Sequence, residues 1–206
     1  MNDVALGTGA LAGRGVYAAR DFAPGDVVIA YTLSALDEAA YLALSEGERL
    51  FVHSYGGRRF RYPPPACFVN HSDDPSCYQD FDRACDIARR PIARGEPITI
   101  DAGEETAREL STFLLAYGRA AHTPAALAEL IAADATLWLS GAPHRGRDAV
   151  VTALTTAPPG ELSNPEWRIG TGRWEALCSA TLPGSRHLTM LLKVITGNWQ
   201  IVYLHT

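Results

Sequence analysis

The chain has 206 residues, of which 47% are hydrophobic, and its formal net charge is −5. This length suits one large domain or two small ones, and the apolar content is sufficient for packed cores. Residues 1–118 hold 11 arginines against 17 acidic residues, a net charge of −6, whereas residues 119–206 have a net charge of +1. The acidic N-terminal half argues against direct nucleic-acid binding, which depends on phosphate neutralisation. It is compatible with a basic peptide partner and equally with an ordinary solvated surface.

The cysteines and the apolar runs exclude several further classes of protein. No two of the four cysteines have C-x-x-C spacing, so no metal site is expected. The sequence does not start with a basic segment followed by an apolar core, and it has no run of 18 apolar residues. We therefore expect neither a signal peptide nor a membrane span. A cytoplasmic location follows as the default, and the alanine- and arginine-rich composition suggests a bacterial source.

The first predicted elements surround a glycine-containing turn. Residues 3–11 read as a short strand and turn, and Gly13-Arg14-Gly15 then leads into a strand that contains Tyr17. Glycine lets backbone amides approach a ligand closely and adopts a positive φ without steric cost. The same residues could equally form a tight β-turn with no ligand.

Residues 23–62 alternate between turns, strands and one helix. Pro24-Gly25 predicts a turn before a buried strand at 27–31. Residues 37–50 read as one helix, with Asp37 as its N-cap. Short strands around 51–53 and 59–62 then flank a glycine turn. Tyr55 and Tyr62 precede the polar stretch around Asn70, and each is either a core or edge aromatic or a wall of a substrate channel.

A polar motif, Asn70-His71-Ser72, follows the apolar residues Phe68 and Val69. Three consecutive prolines at 63–65 bring the chain into this motif in an extended conformation. The asparagine amide offers donors and an acceptor, and histidine adds ring nitrogens. Such a pair can hold a polar small molecule by directional hydrogen bonds. A buried structural histidine is the alternative for His71.

The region after the motif predicts two strands and a long helix. Residues 85–89 form one strand, and a turn at Arg94-Gly95-Glu96 leads into a second strand at 98–101. Residues 104–121 have helical periodicity, with Leu110, Phe113, Leu114 and Tyr117 on the apolar face.

Three blocks of residues, in this order, resemble the SET-domain protein methyltransferases. They are residues 12–26, the Asn70-His71-Ser72 motif with Pro75 and Cys77, and residues 88–103. The resemblance covers about residues 5–118. It implies a mainly-β SET fold of small curved sheets with a knot-like C-terminal segment. It also implies an enzyme that binds S-adenosyl-L-methionine and methylates a lysine of a protein or peptide.

The resemblance also implies which residues contact the cofactor. In SET proteins the glycine turn lines the S-adenosylmethionine site, the Asn-His motif holds the cofactor, and an aromatic residue lies against the adenine. The residues of this chain that correspond are Gly13, Arg14, Gly15, Tyr17, Asn70, His71 and Phe113.

The sequence departs from the family pattern at Ala102. Most SET enzymes have a tyrosine there, whose hydroxyl lies beside the target amine. In-line methyl transfer depends on alignment, and a phenol offers a dipole toward the charge that shifts. Tyr55 or Tyr117 could supply the hydroxyl instead, and both are candidate catalytic residues. The alternative is a catalytically impaired SET fold that serves binding or assembly.

Residues 119–206 predict a second domain, so the predicted domains are 1–118 and 119–206. Two helices, at 123–133 and from 146 to about 155, precede four segments of alternating polarity at 167–174, 176–182, 187–196 and 199–205. The run at 141–150 and the terminal run at 197–205 resemble the SnoaL-like or nuclear-transport-factor-2-like group. That resemblance implies an α+β cone, with helices packed on a curved antiparallel sheet around an apolar pocket.

This group often pairs through the open sheet face, so a homodimer through the C-terminal domain is a candidate assembly. In its enzymes an Asp–His pair does acid–base work, and Asp134, His187 and His205 are the candidates here. A non-catalytic pocket or a dimerisation module is the preferred hypothesis for this domain.

Overall fold

The computed structural model describes residues 3–9, 13–158 and 160–206, and its elements alternate along the chain. The strands, in chain order, are β1 (Val4–Thr8), β2 (Arg14–Ala18), β3 (Val27–Ala30), β4 (Ser34–Leu36), β5 (Val52–Tyr55), β6 (Arg58–Arg61), β7 (Asn70–His71), β8 (Cys77–Asp80), β9 (Cys85–Ala88), β10 (Pro97–Ile100), β11 (Ile131–Leu139), β12 (Ala142–Arg145), β13 (Ser163–Ile169), β14 (Glu175–Leu182), β15 (Arg186–Ile195) and β16 (Asn198–His205). The α-helices are α1 (Glu38–Ala43), α2 (Glu46–Arg49), α3 (Ala102–Ala120), α4 (Pro124–Glu129) and α5 (Arg147–Thr156).

The described residues group into two compact units. The first unit takes its residues from Met1–Leu36, Leu44–His53 and Phe60–Arg108. The second unit takes its residues from Asp37–Ala43, Ser54–Arg59 and Glu109–Thr206. This division differs from the predicted boundary after residue 118, because it falls inside α3 and transfers two earlier segments to the second unit.

The main sheet of the first unit joins the three sequence blocks of the predicted site. Its strand order is β1-β2-β10-β7. Strand β10 pairs antiparallel with β2, with Ile98 opposite Val16, and parallel with β7, with Thr99 opposite Asn70. Because β10 lies between β2 and β7, residues that are more than 50 positions apart in sequence become neighbours.

Two further three-stranded sheets complete the N-terminal strands. One has the order β3-β9-β8 and the other the order β4-β6-β5. The sheets are small and the helices α1 and α2 are short, which agrees with the predicted mainly-β class for this part of the chain.

The predicted helix over residues 37–50 is wrong in its continuity, because two short helices replace it. Helix α1 ends at Ala43, and Ser45 then starts α2 with a capping box. The Ser45 Oγ accepts a hydrogen bond from the Glu48 backbone, and the Glu48 carboxylate accepts one from Ser45 N–H at 3.0 Å. A serine followed three residues later by glutamate is a helix-start signal, so it interrupts the first helix.

Helix α3 starts two residues earlier than predicted, immediately after Asp101. The Asp101 Oδ1 accepts a hydrogen bond from Gly103 N–H at 2.7 Å. A carboxylate at this place satisfies one of the free amide groups of the first turn and complements the helix dipole. The Asp101-Ala102 step therefore marks the change from β10 to the helix.

The second unit has a six-stranded sheet with the order β12-β11-β16-β15-β14-β13. The predicted antiparallel sheet is wrong in one respect, since β11 and β16 pair in parallel. A parallel pair needs a long crossover connection, and here the chain that connects β11 to β16 contains α5 and the strands β12 to β15. Helical and strand elements are both present, as the α+β class requires.

The core of the second unit contains the largest buried side chains of that part of the chain. Phe113, Leu127, Ile131 and Trp199 are completely buried within one hydrophobic cluster. Ile131 pairs with Ile201 at the start of β11. The predicted helix to residue 133 therefore stops at Glu129, because strand pairing and core burial outweigh the local helical pattern.

Ser54, which belongs to the second unit, takes part in a buried polar network there. Its hydroxyl donates to the side-chain oxygen of Asn198 and accepts from Trp199 N–H at 3.2 Å. Its own N–H donates to Glu109 Oε1 at 3.2 Å, and Glu109 Oε2 accepts from Trp199 Nε1–H at 2.7 Å. Asn198 also donates to the Gly57 carbonyl at 2.7 Å. These bonds explain why residues 54–59 group with the C-terminal strands.

Arg59 makes a second attachment within the same unit. Its guanidinium donates to the Thr196 hydroxyl at 2.9 Å and lies 3.5 Å from Glu38 Oε2. Tyr41 packs on Gly197, where a Cβ would lie 2.4 Å from the tyrosine ring.

Within the described ranges, no helix is both long and apolar enough to cross a membrane.

Candidate functional site

A cavity of about 390 Å³ lies on the main sheet of the first unit. This volume falls within the range of roughly 300–1,000 Å³ that is usual for small-molecule sites. Strands β2, β7 and β10 and the residues after β7 provide its walls. The lining residues are Gly15, Val16, Tyr17, Asn70, His71, Ser72, Asp73, Pro97, Ile98 and Thr99.

Gly15 allows two backbone segments to approach each other at this cavity. A Cβ on Gly15 would lie 3.0 Å from the Gly9 Cα and 3.2 Å from the Asn70 Nδ2. Both distances are shorter than ordinary van der Waals contact. A side chain at this position would therefore displace Asn70 or the β1–β2 turn.

The side-chain nitrogen of Asn70 is hydrogen-bonded within the protein, whereas its side-chain oxygen is available to a ligand. Its Nδ2 donates a hydrogen bond to the Arg14 carbonyl at 3.2 Å. Among the described residues, the Oδ1 has no hydrogen-bond partner, and the side chain is half-exposed. The amide is thus fixed in orientation and offers one acceptor to a ligand.

The His71 ring uses both nitrogens within the protein. Nδ1 accepts a hydrogen bond from Ala102 N–H at 3.2 Å, and Nε2 lies 3.2 Å from Asp73 Oδ1. Because Nδ1 accepts, the proton of the neutral ring is on Nε2, where it can be donated to Asp73. The ring therefore connects β7 to the start of α3 and has no nitrogen left for a ligand.

The backbone of His71, in contrast, faces away from the sheet. Ser72 N–H donates to the Ile100 carbonyl at 3.0 Å, so the backbone groups of residues 70 and 72 point toward β10. Alternate residues of a strand point their backbone groups to opposite sides. Strand β7 is the last strand of its sheet, so the N–H and the carbonyl of His71 lie at an open edge.

Tyr17 supports the wall formed by β1 and β2. Its hydroxyl donates to the Thr8 carbonyl at 2.5 Å. A Cβ on Gly7 would lie 2.9 Å from the tyrosine ring, which shows how closely the ring packs on β1. The ring lines the cavity, while its polar end is already satisfied.

Gly13 and Arg14 precede the cavity in sequence but are not among its lining residues. Gly13 has a positive φ of 61°, which the turn before β2 requires and which glycine adopts readily. The Arg14 guanidinium lies 5.2 Å from the centre of the Phe68 ring, and its carbonyl holds Asn70. Both residues therefore position Gly15 and Asn70.

Three other predicted site residues belong to the second unit. Phe113 is completely buried in the hydrophobic core of that unit, together with Leu110 and Leu127. Tyr55 and Tyr117 are also buried there. Gly15, Tyr17, Asn70 and His71 thus line one cavity. Phe113, Tyr55 and Tyr117 are not among its lining residues.

Sequence reasoning missed a buried polar cluster in the first unit. The Asp86 carboxylate accepts a hydrogen bond from the Tyr31 hydroxyl at 3.3 Å, and the Tyr31 ring packs edge-to-face on Tyr62. Burial is the main reason that the pKa of Asp86 is raised to about 8; the Tyr31 hydrogen bond lowers this pKa, and the nearby Glu105 carboxylate raises it. An acidic residue inside an otherwise apolar strand was the feature of the sequence that could have indicated this cluster.

Glu105 contacts a second aromatic neighbour of Tyr62. His53 Nδ1 lies 3.2 Å from Glu105 Oε1, and the His53 and Tyr62 rings are in edge-to-face contact. Glu105 follows Ala102 by one helical turn. The first turn of α3 therefore has a carboxylate and no phenol beside this aromatic cluster.

The three candidate acid–base residues of the C-terminal strands are exposed. Asp134, His187 and His205 lie on β11, β15 and β16. No hydrogen bond between any two of them exists in the described parts of the chain. The structure therefore gives no Asp–His pair from these residues.

Comparison with known proteins gives one family match. Residues 13–103 match the family model described as the SET domain. No match was found among curated proteins. The match supports the N-terminal resemblance predicted from the three sequence blocks.

Several solved structures are similar to parts of this chain. A proposed histone methyltransferase of Plasmodium falciparum has 14% sequence identity and a TM-score of 0.40, covering 49% of this chain and 93% of that one. The humanized Polycomb Repressive Complex 2 of Chaetomium thermophilum, bound to the inhibitor GSK126, has 21% identity and a TM-score of 0.40, covering 49% and 15%. An uncharacterized protein with a cystatin-like fold from Caulobacter vibrioides has 24% identity and a TM-score of 0.40, covering 49% and 87%.

The family match and the cavity coincide in sequence. All ten residues that line the cavity lie between positions 13 and 103. The similarity to the SET domain thus covers the part of the chain that contains β2, β7 and β10.

Proposed function

We propose that the first unit binds S-adenosyl-L-methionine and transfers its methyl group to a lysine side chain of a protein or peptide. The observation that carries this proposal is that Gly15, Tyr17, Asn70 and His71 line one cavity. These residues come from two separate sequence blocks, and the SET resemblance implies a cofactor contact for each of them.

The groups available at the cavity fit an amino-acid-containing nucleoside. The Asn70 Oδ1 would accept a hydrogen bond from the amino group of the ligand, and the open backbone edge of His71 would supply one donor and one acceptor. Gly15 leaves space for close approach, since it has no Cβ. Tyr17 would present its ring to the ligand, because its hydroxyl is already bound to Thr8.

When bound, the cofactor supplies a methyl group on a positively charged sulfur. Transfer to the neutral amine would form a carbon–nitrogen bond as the carbon–sulfur bond breaks, leaving S-adenosylhomocysteine and a methylated ammonium group that releases one proton to solvent. Alignment of the two reactants is the main contribution expected of the protein. The exposed Asp73 at the cavity, in an N-terminal half with a net charge of −6, favours a basic peptide as the acceptor.

Ala102 favours a second candidate function, namely binding without transfer. Its side chain offers no hydroxyl, and its backbone N–H is already bound to His71. A chain of this kind would hold the cofactor and recognise a partner, with the second unit as an accessory domain. Both candidates predict the same cofactor cavity, so they differ only in transfer.

The first experiment is calorimetric titration with S-adenosylhomocysteine. We expect binding by the wild-type protein and loss of binding in Asn70→Ala. Asp74→Ala is the matched control, because this residue is exposed, lies four positions away and does not line the cavity. Thermal unfolding of all three proteins checks that the folds are intact. Absence of binding by a folded wild-type protein would refute the proposed function.

A second experiment separates the two candidates. The protein would be incubated with cofactor labelled on its methyl group and with lysine-containing basic peptides. Label on the peptide supports transfer, and binding without label supports the second candidate. Lys193 is the only lysine of this chain, so Lys193→Arg shows whether any label on the protein itself is self-methylation.

The second unit would also provide a surface for pairing with a second copy of the chain. Four large apolar side chains are exposed on or beside its sheet: Trp138, Ile169, Trp174 and Leu177. Exposed apolar groups of this size are typical of protein–protein interfaces. Light scattering after size-exclusion chromatography should give twice the monomer mass, and Leu177→Glu should reduce it to the monomer. A monomeric wild-type protein would refute this assembly.

A further inference from the structure

The second unit contains a cavity of about 750 Å³ that lies outside the proposed methyl-transfer site. Its walls come from the C-terminal half of α3 and from the chain that leads into β13. Leu114, Leu162 and Trp167 give it an apolar and partly aromatic lining. The volume is within the range for sites that enclose a small organic molecule.

Tyr117 also lines this cavity, and its hydroxyl is an unsatisfied polar group. The side chain is almost completely buried, and the oxygen has no hydrogen-bond partner among the residues the structure describes. Burial raises the pKa of this hydroxyl, so it keeps its proton and can both donate and accept. Buried hydroxyls nearly always have a partner in folded proteins. The oxygen is closed off from solvent, so a ligand oxygen would supply the missing partner by displacing the lining side chains that cover it.

Two nitrogen-containing side chains of the cavity lie at the C-terminal end of α3 and just beyond it. Arg119 and His122 are exposed and belong to the lining. In the described ranges Arg119 makes no ion pair, although the exposed Glu161 also lines the cavity. A guanidinium that stays charged at every accessible pH and has two donor edges suits a carboxylate.

We propose that this cavity binds an aromatic carboxylic acid that has a second hydrogen-bonding oxygen. The aromatic rings would lie among Leu114, Leu162 and Trp167. The carboxylate would contact Arg119, and the second oxygen would satisfy the Tyr117 hydroxyl. This site is separate from the cavity of Asn70 and His71 and adds a binding function to the second unit.

The test uses three probe compounds that differ by one group each. The full-length protein, without cofactor, would be titrated with 6-hydroxy-2-naphthoate, with 2-naphthoate and with 2-naphthol. We expect 6-hydroxy-2-naphthoate to bind most tightly, because it alone has both polar groups. Removal of either group should weaken binding by about tenfold, the usual effect of losing one hydrogen bond to a buried or charged partner.

Two variants assign the contacts to named side chains. Arg119→Gln should weaken the acids and leave the affinity for 2-naphthol unchanged. Tyr117→Phe should abolish the preference for 6-hydroxy-2-naphthoate over 2-naphthoate. Arg168→Gln is the matched control, since this exposed arginine lies on β13 and does not line the cavity. It should bind all three compounds like the wild type.

Either of two results would overturn the proposal. The first is absence of binding of all three compounds to the folded wild-type protein at millimolar concentration. The second is binding that neither Arg119→Gln nor Tyr117→Phe changes. If Tyr117→Phe does not fold, the comparison of acid and naphthol in Arg119→Gln decides alone. Titration with S-adenosylhomocysteine reports on the other cavity, so the two proposals can fail independently.

Discussion

The backbone N–H of Ala102 donates a hydrogen bond to Nδ1 of His71 across 3.2 Å. The position at which most SET enzymes have a tyrosine is thus coupled to the histidine of the Asn-His motif. The bond fixes the tautomer of His71, because a ring nitrogen that accepts cannot carry a proton. It also leaves the His71 backbone, rather than its ring, to meet a ligand.

His71→Ala should destabilise the first unit, because it leaves the Ala102 amide without a partner. The expected loss in the free energy of unfolding is about 0.5–1.5 kcal/mol, the usual net contribution of one hydrogen bond, because the Ala102 amide is only partly buried. Urea unfolding measures it. Asp73→Ala removes only the exposed partner of Nε2 and should change stability by less than about 0.5 kcal/mol. Equal losses in the two variants would show that the Ala102 bond is unimportant.

Gly15→Ala should abolish binding of S-adenosylhomocysteine and reduce stability by about 1–3 kcal/mol, as overpacking usually does. The added Cβ would meet the Gly9 Cα at 3.0 Å and the Asn70 Nδ2 at 3.2 Å. Calorimetry and thermal unfolding check both effects. Gly47→Ala is the control, because its Cβ would enter open space in α2. A Gly15→Ala protein that binds like the wild type would contradict the close approach.

The stability of the protein should depend on pH through Asp86. Burial raises the pKa of this carboxyl from its usual value near 4 to about 8 in the folded state. Between these values the folded state keeps the proton that the unfolded state has lost, so the free energy of unfolding should fall as pH rises through this window. The slope from one such group is at most about 1.4 kcal/mol per pH unit.

Urea unfolding of Asp86→Asn at several pH values from 5 to 8.5 tests this assignment. The amide cannot ionise, so the variant should lose most of the downward slope. Asp82→Asn, in which an exposed carboxylate is replaced, should keep it. An unchanged slope in Asp86→Asn would assign the pH dependence to other groups.

Glu109→Gln should weaken the second unit, because a glutamine side chain has only one oxygen. The carboxylate accepts from Trp199 Nε1–H at 2.7 Å and from Ser54 N–H at 3.2 Å, each on a different oxygen. One buried donor would lose its partner, at a cost of about 1–3 kcal/mol. Thermal unfolding measures the loss, and the exposed Glu129→Gln serves as control. A melting temperature equal to that of the wild type would show that the network adapts.

The sequence could predict four residues that line the cavity on β2, β7 and β10, namely Gly15, Tyr17, Asn70 and His71, because each of them belongs to a local pattern. The glycine turn before Tyr17 and the Asn70-His71-Ser72 motif are recognisable without any knowledge of distant contacts. The pairing of β10 between β2 and β7 then brings them together. The helical periodicity of residues 104–121 likewise predicted α3, although it did not show that the helix starts at Ala102.

The remaining features depend on contacts between residues far apart in sequence. Ser54 and Asn198 are 144 positions apart, and nothing near either residue predicts their hydrogen bond. The parallel pairing of β11 with β16 is equally invisible in the alternation of either strand. The position of Phe113 on the apolar face of α3 is compatible with both a contact to an adenine and a place in the core. Its complete burial shows that it is a core residue.

The assignment of residues 37–43 and 54–59 to the second unit has a practical consequence for protein engineering. The chain passes between the units several times, so no single peptide bond separates them. A fragment that ends at residue 118 would contain Ser54 and Glu109 without Asn198 and Trp199. Isolated halves are therefore expected to be poor substitutes for the whole chain, and a linker or fusion partner belongs at a terminus.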